Sequence, residues 1–352
     1  MLVKLLSGDK PNSIVLTIVL LAILACLAFA PFLFPGVRSL ETAARICIFI
    51  VLVASYDLLL GYTGIVSFAH TMFFGLGAYG VALASDHLGR GFGPMILGTA
   101  LGAIAAGILA VLIGLFSLRV RAIFFAMITL AVASAVAVLV SQFSTITGGE
   151  DGLNYSIPRA LTPAFRLGEI GGVKINGKIL NYYLIFFCSA ALFLLLLRIV
   201  NSPFGRVLEA IRENEFRAEA IGYKVVWYRT AATCLSAAVA ALAGSLFAIW
   251  LRYVGPDTTL SFEIMLDILL MVVIGGMGTM YGAVIGATIF VLAQNYLQNL
   301  MGVAEEATSG LPILPHFLDP DRWLMWLGVL FILSVYFFPT GIVGRLRSGR
   351  QG

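Results

Sequence analysis

The stretch GYTGIVSFAHTMFFGLGAYG, residues 61–80, contains five glycines, one histidine and no charged side chain, within a run that is otherwise apolar. Its last six residues match the pattern G-x-G-x-x-G of dinucleotide-binding loops. That pattern needs a preceding strand, and an acidic residue about 20 positions later to bind the ribose. Here no Asp or Glu lies between His87 and Gly149. We therefore interpret the glycines as small contact residues that let membrane helices pack closely.

The composition predicts an all-α integral membrane protein. Of the 352 residues, 60% are hydrophobic and 11% are charged, whereas roughly a quarter are charged in a typical soluble domain. A helix of about 20 apolar residues crosses a bilayer, whereas an open sheet would leave backbone polar groups unpaired there. The four cysteines fall inside apolar runs without paired spacing. They are therefore expected to be small apolar residues rather than disulfide partners or metal ligands.

Ten apolar runs predict about ten transmembrane helices in a single membrane domain, residues 1–352. The runs are 14–34, 44–60, 65–84, 95–117, 121–141, 179–200, 230–252, 263–276, 281–300 and 323–339. An even number of crossings puts both termini on the same side of the membrane. The first run ends in small residues, as a signal peptide does. It is longer than the usual apolar core of a signal peptide, however, and Pro31 directly follows the small residue Ala30. We therefore keep the run as a membrane span.

The distribution of Lys and Arg predicts the side on which the termini lie. With both termini in the cytoplasm, the inner segments and helix ends hold thirteen of the 22 basic residues, and the short outer segments hold five. Cytoplasmic segments are enriched in Lys and Arg, and long loops count little in this rule. The sequence therefore favours an N-in, C-in topology, with a long periplasmic loop at 142–178 and a cytoplasmic segment at 201–229.

Two other patterns lack essential members of the sites that they suggest. GVKINGK, residues 172–178, matches a phosphate-binding loop, but Ile179 stands where Ser or Thr would hold magnesium. Its Asn176–Gly177 pair instead predicts the turn of a β-hairpin. Ser67 and His70 lie three apart and would share one helix face, yet the sequence has neither G-x-S-x-G nor H-E-x-x-H. The alternatives are a hydrolase, a histidine packed against a neighbouring helix, and a polar group along a transport route.

The segment 201–229 is predicted to be helical rather than a flexible linker. An apolar stripe recurs at helical spacing, interrupted by Glu215: Leu208, Ile211, Ala218 and Ile221. Glu213 and Arg217 could form an ion pair at i,i+4. Gly222 suits the end of a helix. The segment is therefore expected to be a folded cytoplasmic feature.

Phe216 is predicted to be an exposed aromatic anchor for a protein partner. At 100° per residue it lies about 80° from Leu208, on a charged face with Glu209 and Arg212. Large aromatic side chains are typical anchors of protein interfaces. The alternative is an amphipathic helix on the inner membrane surface, which would need a strongly cationic face. Residues 206–229 hold five basic and four acidic side chains, so their mixed charge favours a protein.

Three separated stretches carry a family resemblance: DLLLGYTGIVSFAHTMFFGLGAYG (57–80), GRVLEAIRENEFRAEAIGYKV (205–225) and VVIGGMGTMYGAVIGA (272–287). They resemble the signature regions of branched-chain amino-acid ABC importer permeases, and among these the M-type (LivM-like) subunits. TGGEDGLNYSIP in the long loop and FFPTGIVG near the end fit the same family. The resemblance runs in collinear order from about residue 45 to 345. Asp57 stands where the family commonly has Asn, and Ala69 where Gly often precedes the histidine.

The resemblance implies a transport subunit of the bacterial inner membrane that is not itself an enzyme. It would pair with a homologous second permease, two cytoplasmic ABC ATPases and a periplasmic substrate-binding protein, with no nucleic-acid partner. ATP and magnesium would be bound by the ATPases, so no cofactor is expected in this chain. The residues expected to couple it to the ATPases are Arg206, Glu209, Arg212, Glu213, Asn214, Phe216, Glu219 and Gly222.

Alternating access between the two permeases is the expected mechanism, since helices that rock need smooth contact faces. The glycines expected to provide packing faces and hinges are Gly61, Gly64, Gly75, Gly77, Gly80, Gly275, Gly276, Gly278, Gly282 and Gly286. The residues expected along the translocation path are Tyr62, Thr63, Ser67 and His70. Close packing without substrate contact is the alternative for these four.

The function predicted from the sequence is ATP-driven import of amino acids, with leucine, isoleucine and valine as the expected substrates. Urea, short amides and other amino acids are alternatives, because the binding protein largely sets selectivity. A more distant alternative is a proton-coupled secondary transporter. It would use Asp57 and Asp267, since acids at or within membrane spans are functional candidates.

Overall fold

A computed structural model of the chain describes residues 14–33, 36–117, 122–170, 173–307, 319–337 and 341–348. Within them, thirteen helices of six or more residues follow one another: α1 (Ile14–Ala28), α2 (Val37–Thr63), α3 (His70–Leu88), α4 (Phe92–Ser117), α5 (Ala122–Gln142), α6 (Gly177–Val200), α7 (Pro203–Glu213), α8 (Glu215–Ala220), α9 (Val225–Leu251), α10 (Phe262–Gly275), α11 (Met280–Ala307), α12 (Trp323–Phe337) and α13 (Gly341–Ser348). Shorter helical turns lie at Ala30–Leu33, Ser144–Thr147, Gly149–Asp151, Arg159–Leu161, Pro256–Thr259 and Pro320–Arg322.

Each of the ten apolar runs overlaps one of these helices, although not always over its whole length. Seven described helical stretches are long and apolar enough to cross a membrane: Val37–Thr63, Phe92–Leu115, Ile123–Gln142, Gly177–Val200, Val225–Leu251, Pro256–Gly275 and Met280–Glu306. α1 is a shorter apolar helix of 15 residues. The chain is therefore a predominantly helical, multi-pass membrane protein, as the composition predicts.

The predicted span 65–84 is wrong at its start. α2 ends at Thr63 because Gly64 adopts a left-handed conformation, φ 72°, and its N–H bonds to the carbonyl of Leu59. This geometry is a helix C-cap that glycine adopts without steric cost. Residues 64–69 are not helical, and α3 begins only at His70. Non-helical backbone at this depth is tolerated where protein surrounds it, and Ile65, for example, is buried.

Four short strands form two antiparallel pairs in the described loops. β1 (Leu153–Asn154) pairs with β4 (Tyr253–Val254), and β2 (Arg166–Ile170) pairs with β3 (Val173–Asn176). The prediction that Asn176–Gly177 forms the hairpin turn is wrong, because β3 ends at Asn176 and Gly177 begins α6. A β-carbon at Gly177 would collide with the carbonyl of Thr162, so glycine is needed there for close packing. Residues 171–172, which join β2 to β3, lie outside the described residues.

Helix α2 forms the centre of the bundle, and glycines let its neighbours approach one another closely. Leu52, Tyr56 and Leu58 on α2 have no exposed surface. On α3, a β-carbon at Gly77 would overlap the backbone of Ala241 on α9. Reciprocally, one at Gly244 on α9 would overlap the backbone of Phe74 on α3, and one at Gly80 would meet the backbone of α4. Small residues at such crossings are typical of helices that pack in lipid.

The described bundle has two ends, which we call the 201–224 end and the 143–176 end after the segments they carry. α6 ends at Val200 and α9 begins at Val225, so both helices meet the 201–224 segment. At their other ends, the Asn181 side-chain amide on α6 donates to the carbonyl of Ile249 on α9. The loop residue Tyr155 donates its N–H to the carbonyl of Arg252 there. A 27-residue helix such as α9 is about 40 Å long, which separates the two ends by a membrane thickness.

Candidate coupling site

The 201–224 segment folds into two short helices that are capped by local side chains. The hydroxyl of Ser202 accepts from the N–H of Gly205 at the start of α7, and Pro203 occupies the first helical position, where it needs no donor. Asn214 leaves the helical conformation, φ −156° and ψ 98°, and its side chain accepts from the N–H of Arg217 at 2.9 Å. Asn214 is therefore an N-cap that divides α7 from α8.

The break at Asn214 overturns two details of the sequence interpretation. Glu213 and Arg217 belong to different helices, and no ion pair joins them in the described structure. Instead, Nη1 of Arg229 lies 2.8 Å from Oε1 of Glu215 and ties α8 to the start of α9. Ile221, predicted on the apolar stripe, is 69% exposed because α8 ends at Ala220.

The inner and outer sides of the segment differ in chemistry. Ile211, Ala218 and Val225 form a small buried cluster that packs the segment onto the start of α9. On the outside, the Phe216 side chain is 87% exposed, and Trp227 is exposed nearby in the sequence. All eight residues expected to couple the chain to ATPases are exposed. Trp227 is not among the residues predicted for this surface, although a large aromatic in the first turn of α9 was the available signal.

Arg212 differs from the other exposed cations because its guanidinium reaches back into the bundle. Its Nη1 donates a hydrogen bond to the carbonyl of Gly61, in the last turn of α2. Its methylene stem lies beside Gly64, where a β-carbon would come within 3.4 Å of Cγ. A cation that bonds the last carbonyls of a helix also interacts favourably with the helix dipole. Arg212 therefore joins the 201–224 segment to the end of α2.

A second glycine-containing turn, between α10 and α11, packs against the end of α2 beside Arg212. Oδ1 of Asp57 accepts the N–H of Gly278 at 2.9 Å. A β-carbon at Gly61 would overlap the nitrogen of Gly278, and one at Gly278 would come within 2.7 Å of Nη1 of Arg212. Gly276 and Gly278 both have positive φ, 116° and 77°. We call the six residues gathered here the glycine node: Asp57, Gly61, Gly64, Arg212, Gly276 and Gly278.

The four predicted path residues are all buried within this chain, and none of them lines the two cavities of about 490 and 730 Å³ in the described structure. Tyr62 and Thr63 belong to the last turn of α2, and the hydroxyl of Thr63 donates to the carbonyl of Leu59 at 2.6 Å. Ser67 lies in the non-helical stretch and accepts from the N–H of Ala69. Their assignment to the path stays a prediction.

His70 pairs with a residue that the sequence analysis did not consider. Its Nε2 lies 2.8 Å from the hydroxyl of Ser55 on α2. Because that hydroxyl donates its single proton to the carbonyl of Leu52 at 2.7 Å, we infer that Nε2 carries the hydrogen and donates. The expectation that Ser67 and His70 share a helix face is wrong, since Ser67 precedes the helix. The pairing favours a packed histidine over a Ser–His hydrolase.

The fold defines a multi-pass membrane protein, and the described residues include no nucleotide-binding domain. Residues 38–335 match the protein family described as "Branched-chain amino acid transport system / permease component". The chain belongs to this family. It is a multi-pass protein of the bacterial inner membrane, and its family is one of transport subunits.

Known relatives are similar over most of the chain. The high-affinity branched-chain amino acid transport system permease protein LivM of Salmonella typhimurium LT2 is 28% identical over 301 residues, which are 81% of this chain and 70% of that protein. LivM of Escherichia coli K12 is 27% identical over the same shares. The probable branched-chain amino acid transport permease protein LivM of Methanocaldococcus jannaschii is 27% identical over 72% of this chain and 69% of its own. No solved structure matches the chain.

Proposed function

We propose that this chain forms half of the translocation route of an ATP-driven importer of branched-chain amino acids. It acts with a homologous second permease, two cytoplasmic ATPases that bind ATP and magnesium, and a periplasmic binding protein. The observation that carries the proposal is the glycine node, because there a cation of an exposed helical segment bonds directly to the ends of the membrane helices. Motion of that segment would reach the bundle without an intervening flexible linker.

Contacts at the two ends of the bundle support ten crossings with both termini inside. At the 201–224 end, α2 finishes beside Arg212, the α10–α11 turn lies beside Gly61, and Gly341 at the start of α13 packs on Gly276. Leu16 near the start of α1 packs with Ile285 and Val343 at this end too. At the other end, the hydroxyl of Tyr182 on α6 donates to the carbonyl of Leu27 at the end of α1. Alternate helix ends thus fall on opposite sides, as an N-in, C-in chain requires.

The exposed side of the 201–224 segment is the proposed ATPase-docking surface. It offers Phe216 as an aromatic anchor within the mixed charges of Arg206, Glu213 and Glu219. Interfaces are enriched in aromatic side chains and Arg at their energetic centres. Since the buried cluster of Ile211, Ala218 and Val225 fixes the segment to the bundle, a force on the outer side would move α7 and α8 together.

The route itself is proposed to run between the two permeases rather than through this chain. Tyr62, Thr63, Ser67 and His70 would border it only in a state in which the non-helical residues 64–69 have moved. The non-helical stretch begins at Gly64, and Gly64 lies against the side chain of Arg212. Rearrangement of broken helices beside a fixed site is how many transporters alternate access. The coupling segment and the candidate path are therefore adjacent.

Uptake into proteoliposomes tests the proposed function. The complex is reconstituted with its binding protein, and radiolabelled leucine, isoleucine, valine and urea are supplied in turn. Import that needs ATP and survives a collapsed proton gradient is the expected result, with leucine, isoleucine or valine taken up in preference to urea. Import that follows the proton gradient without ATP would establish the secondary transporter instead. Preference for urea would leave the proposed ATP-driven importer in place and assign it a different substrate.

A further inference from the structure

A cavity at the 143–176 end gathers three arginines from three separate parts of the chain. Its volume is about 490 Å³, and it is lined by Arg90, Arg159 and Arg252 together with Tyr155, Phe165 and neighbouring loop residues. Arg90 lies between α3 and α4, Arg159 begins a helical turn in the loop, and Arg252 follows α9. Convergence of these segments places three cationic side chains around one opening.

The backbone at Arg252 is fixed by its neighbours. Arg252 has φ 59°, the left-handed conformation, and is the one non-glycine residue with positive φ among the described residues. Its N–H bonds to the carbonyl of Ala248 at 2.8 Å, and its carbonyl accepts from Tyr155. The β1–β4 pair then joins the loop to the end of α9. A bulky residue keeps such a conformation only where the surrounding structure enforces it, so the backbone that carries Arg252 is held in place.

The cavity is unbalanced in charge. No acidic side chain is among its lining residues. In the described structure none of the three arginines takes part in an ion pair, and all three are exposed. The Tyr155 hydroxyl is buried there without a hydrogen-bond partner. Arginine is preferred wherever carboxylates are bound because its planar fork donates two parallel hydrogen bonds. An anionic group is therefore the occupant that fits.

The side of the membrane narrows the choice of occupant. Arg252 follows the end of α9, whose first residue, Val225, adjoins the 201–224 segment. The cavity thus opens on the side opposite the proposed ATPase-docking surface. A free amino acid fits poorly, because no lining carboxylate can receive its ammonium group, and small-molecule sites bury most of their ligand. Exposed arginines beside an aromatic ring suit the surface of another protein.

We propose that the arginine cavity receives acidic side chains of the periplasmic binding protein when it docks on the permease. The proposal rests on the proposed function and adds the site and the charge of the contact. Each exposed ion pair stabilises a complex modestly, and its contribution weakens with added salt. Three such pairs together would change affinity by about tenfold or more.

Binding measurements on the assembled complex in nanodiscs test the proposal. Arg90→Glu, Arg159→Glu and Arg252→Glu are made singly and together, and the affinity for the binding protein that co-purifies with the complex is measured from low to high salt. The triple variant is expected to bind at least about tenfold more weakly at low salt, with a flatter salt dependence. Assembly is checked by size-exclusion chromatography. The matched control is Arg38→Glu, which changes an exposed arginine at the same end, in the first turn of α2.

The outcomes separate this proposal from the proposed function. Unchanged binding-protein affinity in an assembled triple variant would overturn the arginine cavity as the contact while leaving ATP-driven import intact. An equal loss in Arg38→Glu would overturn it too, since only general charge would then matter. If the triple variant lost binding of leucine or of anionic lipid while its affinity for the binding protein was unchanged, the cavity would have a different occupant. Failure of the unaltered complex to bind any soluble partner would count against the proposed function itself.

Discussion

At the scale of single residues, Arg212 is the link that can be removed most cleanly. Arg212→Ala deletes the donor to the Gly61 carbonyl and the stem beside Gly64. A charge-assisted hydrogen bond at such a partly solvated site is worth about 1 kcal/mol. We therefore expect the complex to assemble but to import severalfold less substrate per ATP hydrolysed. Arg206→Ala, which removes an exposed cation on the same helix, is the control, and equal effects of the two changes would contradict the link.

Asp57 distinguishes a structural carboxylate from a proton carrier. Its Oδ1 accepts the N–H of Gly278, and the amide oxygen of Asp57→Asn can accept the same hydrogen bond. We expect that variant to keep ATP-driven uptake. Asp57→Leu would leave the partly buried N–H of Gly278 without this acceptor, at a cost of about 1 kcal/mol, and should lower both melting temperature and uptake. Loss of transport in Asp57→Asn with unchanged stability would instead support a titrating role.

Sequence reasoning located these residues better than it located their partners. Phe216 could be predicted to be exposed because helical periodicity takes it off the apolar stripe, and it is exposed. The partner of His70 could not be found in this way, since Ser55 lies fifteen positions away on another helix. Arg212 was grouped with the ATPase-facing charges for the same reason. Periodicity indicates which face of a helix a side chain occupies. Only the folded structure shows that the carbonyl of Gly61 lies beside the guanidinium of Arg212.

At the scale of helices, the glycine contacts predict which substitutions are harmful. Gly77→Ala would push a β-carbon into the backbone of Ala241 and separate α3 from α9. Overpacking of this kind costs about 1–3 kcal/mol, so the melting temperature in detergent should fall by several degrees. Gly107→Ala on α4 is the control, because a β-carbon there meets nothing within 4 Å. Equal melting temperatures for the two variants would show that the α3–α9 crossing is not close.

The two helices of the 201–224 segment carry the docking prediction. Phe216→Ala removes the exposed ring, and Glu213→Lys reverses a charge on the neighbouring helix, so both should reduce co-purification of the ATPases and substrate-stimulated ATP hydrolysis. An anchor residue typically contributes about 2 kcal/mol or more to an interface, equivalent to at least about a tenfold loss of affinity. Phe92→Ala, at an exposed aromatic at the opposite end, should have no such effect. Parent-like assembly and transport in both test variants would mean that docking occurs elsewhere.

Helix existence could be predicted from the sequence, but helix ends depended on glycine geometry and caps. Apolar runs of about 20 residues allow little else in lipid, which is why each of the ten runs overlaps a helix. The stretch 64–69 is as apolar as a helix, yet the left-handed Gly64 ends α2 before it. Asn214 similarly divides a continuous helical pattern, because its side chain caps the next helix. Composition indicates burial, and these local hydrogen bonds decide where the chain turns.

At the scale of the whole molecule, the proposed contact with the ATPases and the proposed contact with the binding protein lie at opposite ends of the bundle. The docking surface and the glycine node lie at the 201–224 end, and the arginine cavity lies at the 143–176 end. α9 spans the distance between them, from Val225 to Leu251. It also packs against α3 through Gly77 and Gly244. A rocking movement of these tightly packed helices would alter both ends together, as alternating access requires.

Sidedness is the whole-molecule prediction on which this arrangement depends. In a background with the four cysteines changed to alanine, Asp86→Cys and Glu219→Cys place one thiol at each end, since both positions are exposed. The permease is expressed without its ATPases so that docking cannot mask Glu219→Cys. A membrane-impermeant maleimide should label Asp86→Cys in intact cells and Glu219→Cys only after permeabilisation, because the inner segments carry the excess of basic residues. The reverse pattern would put the docking surface outside the cell, where no ATPase could reach it.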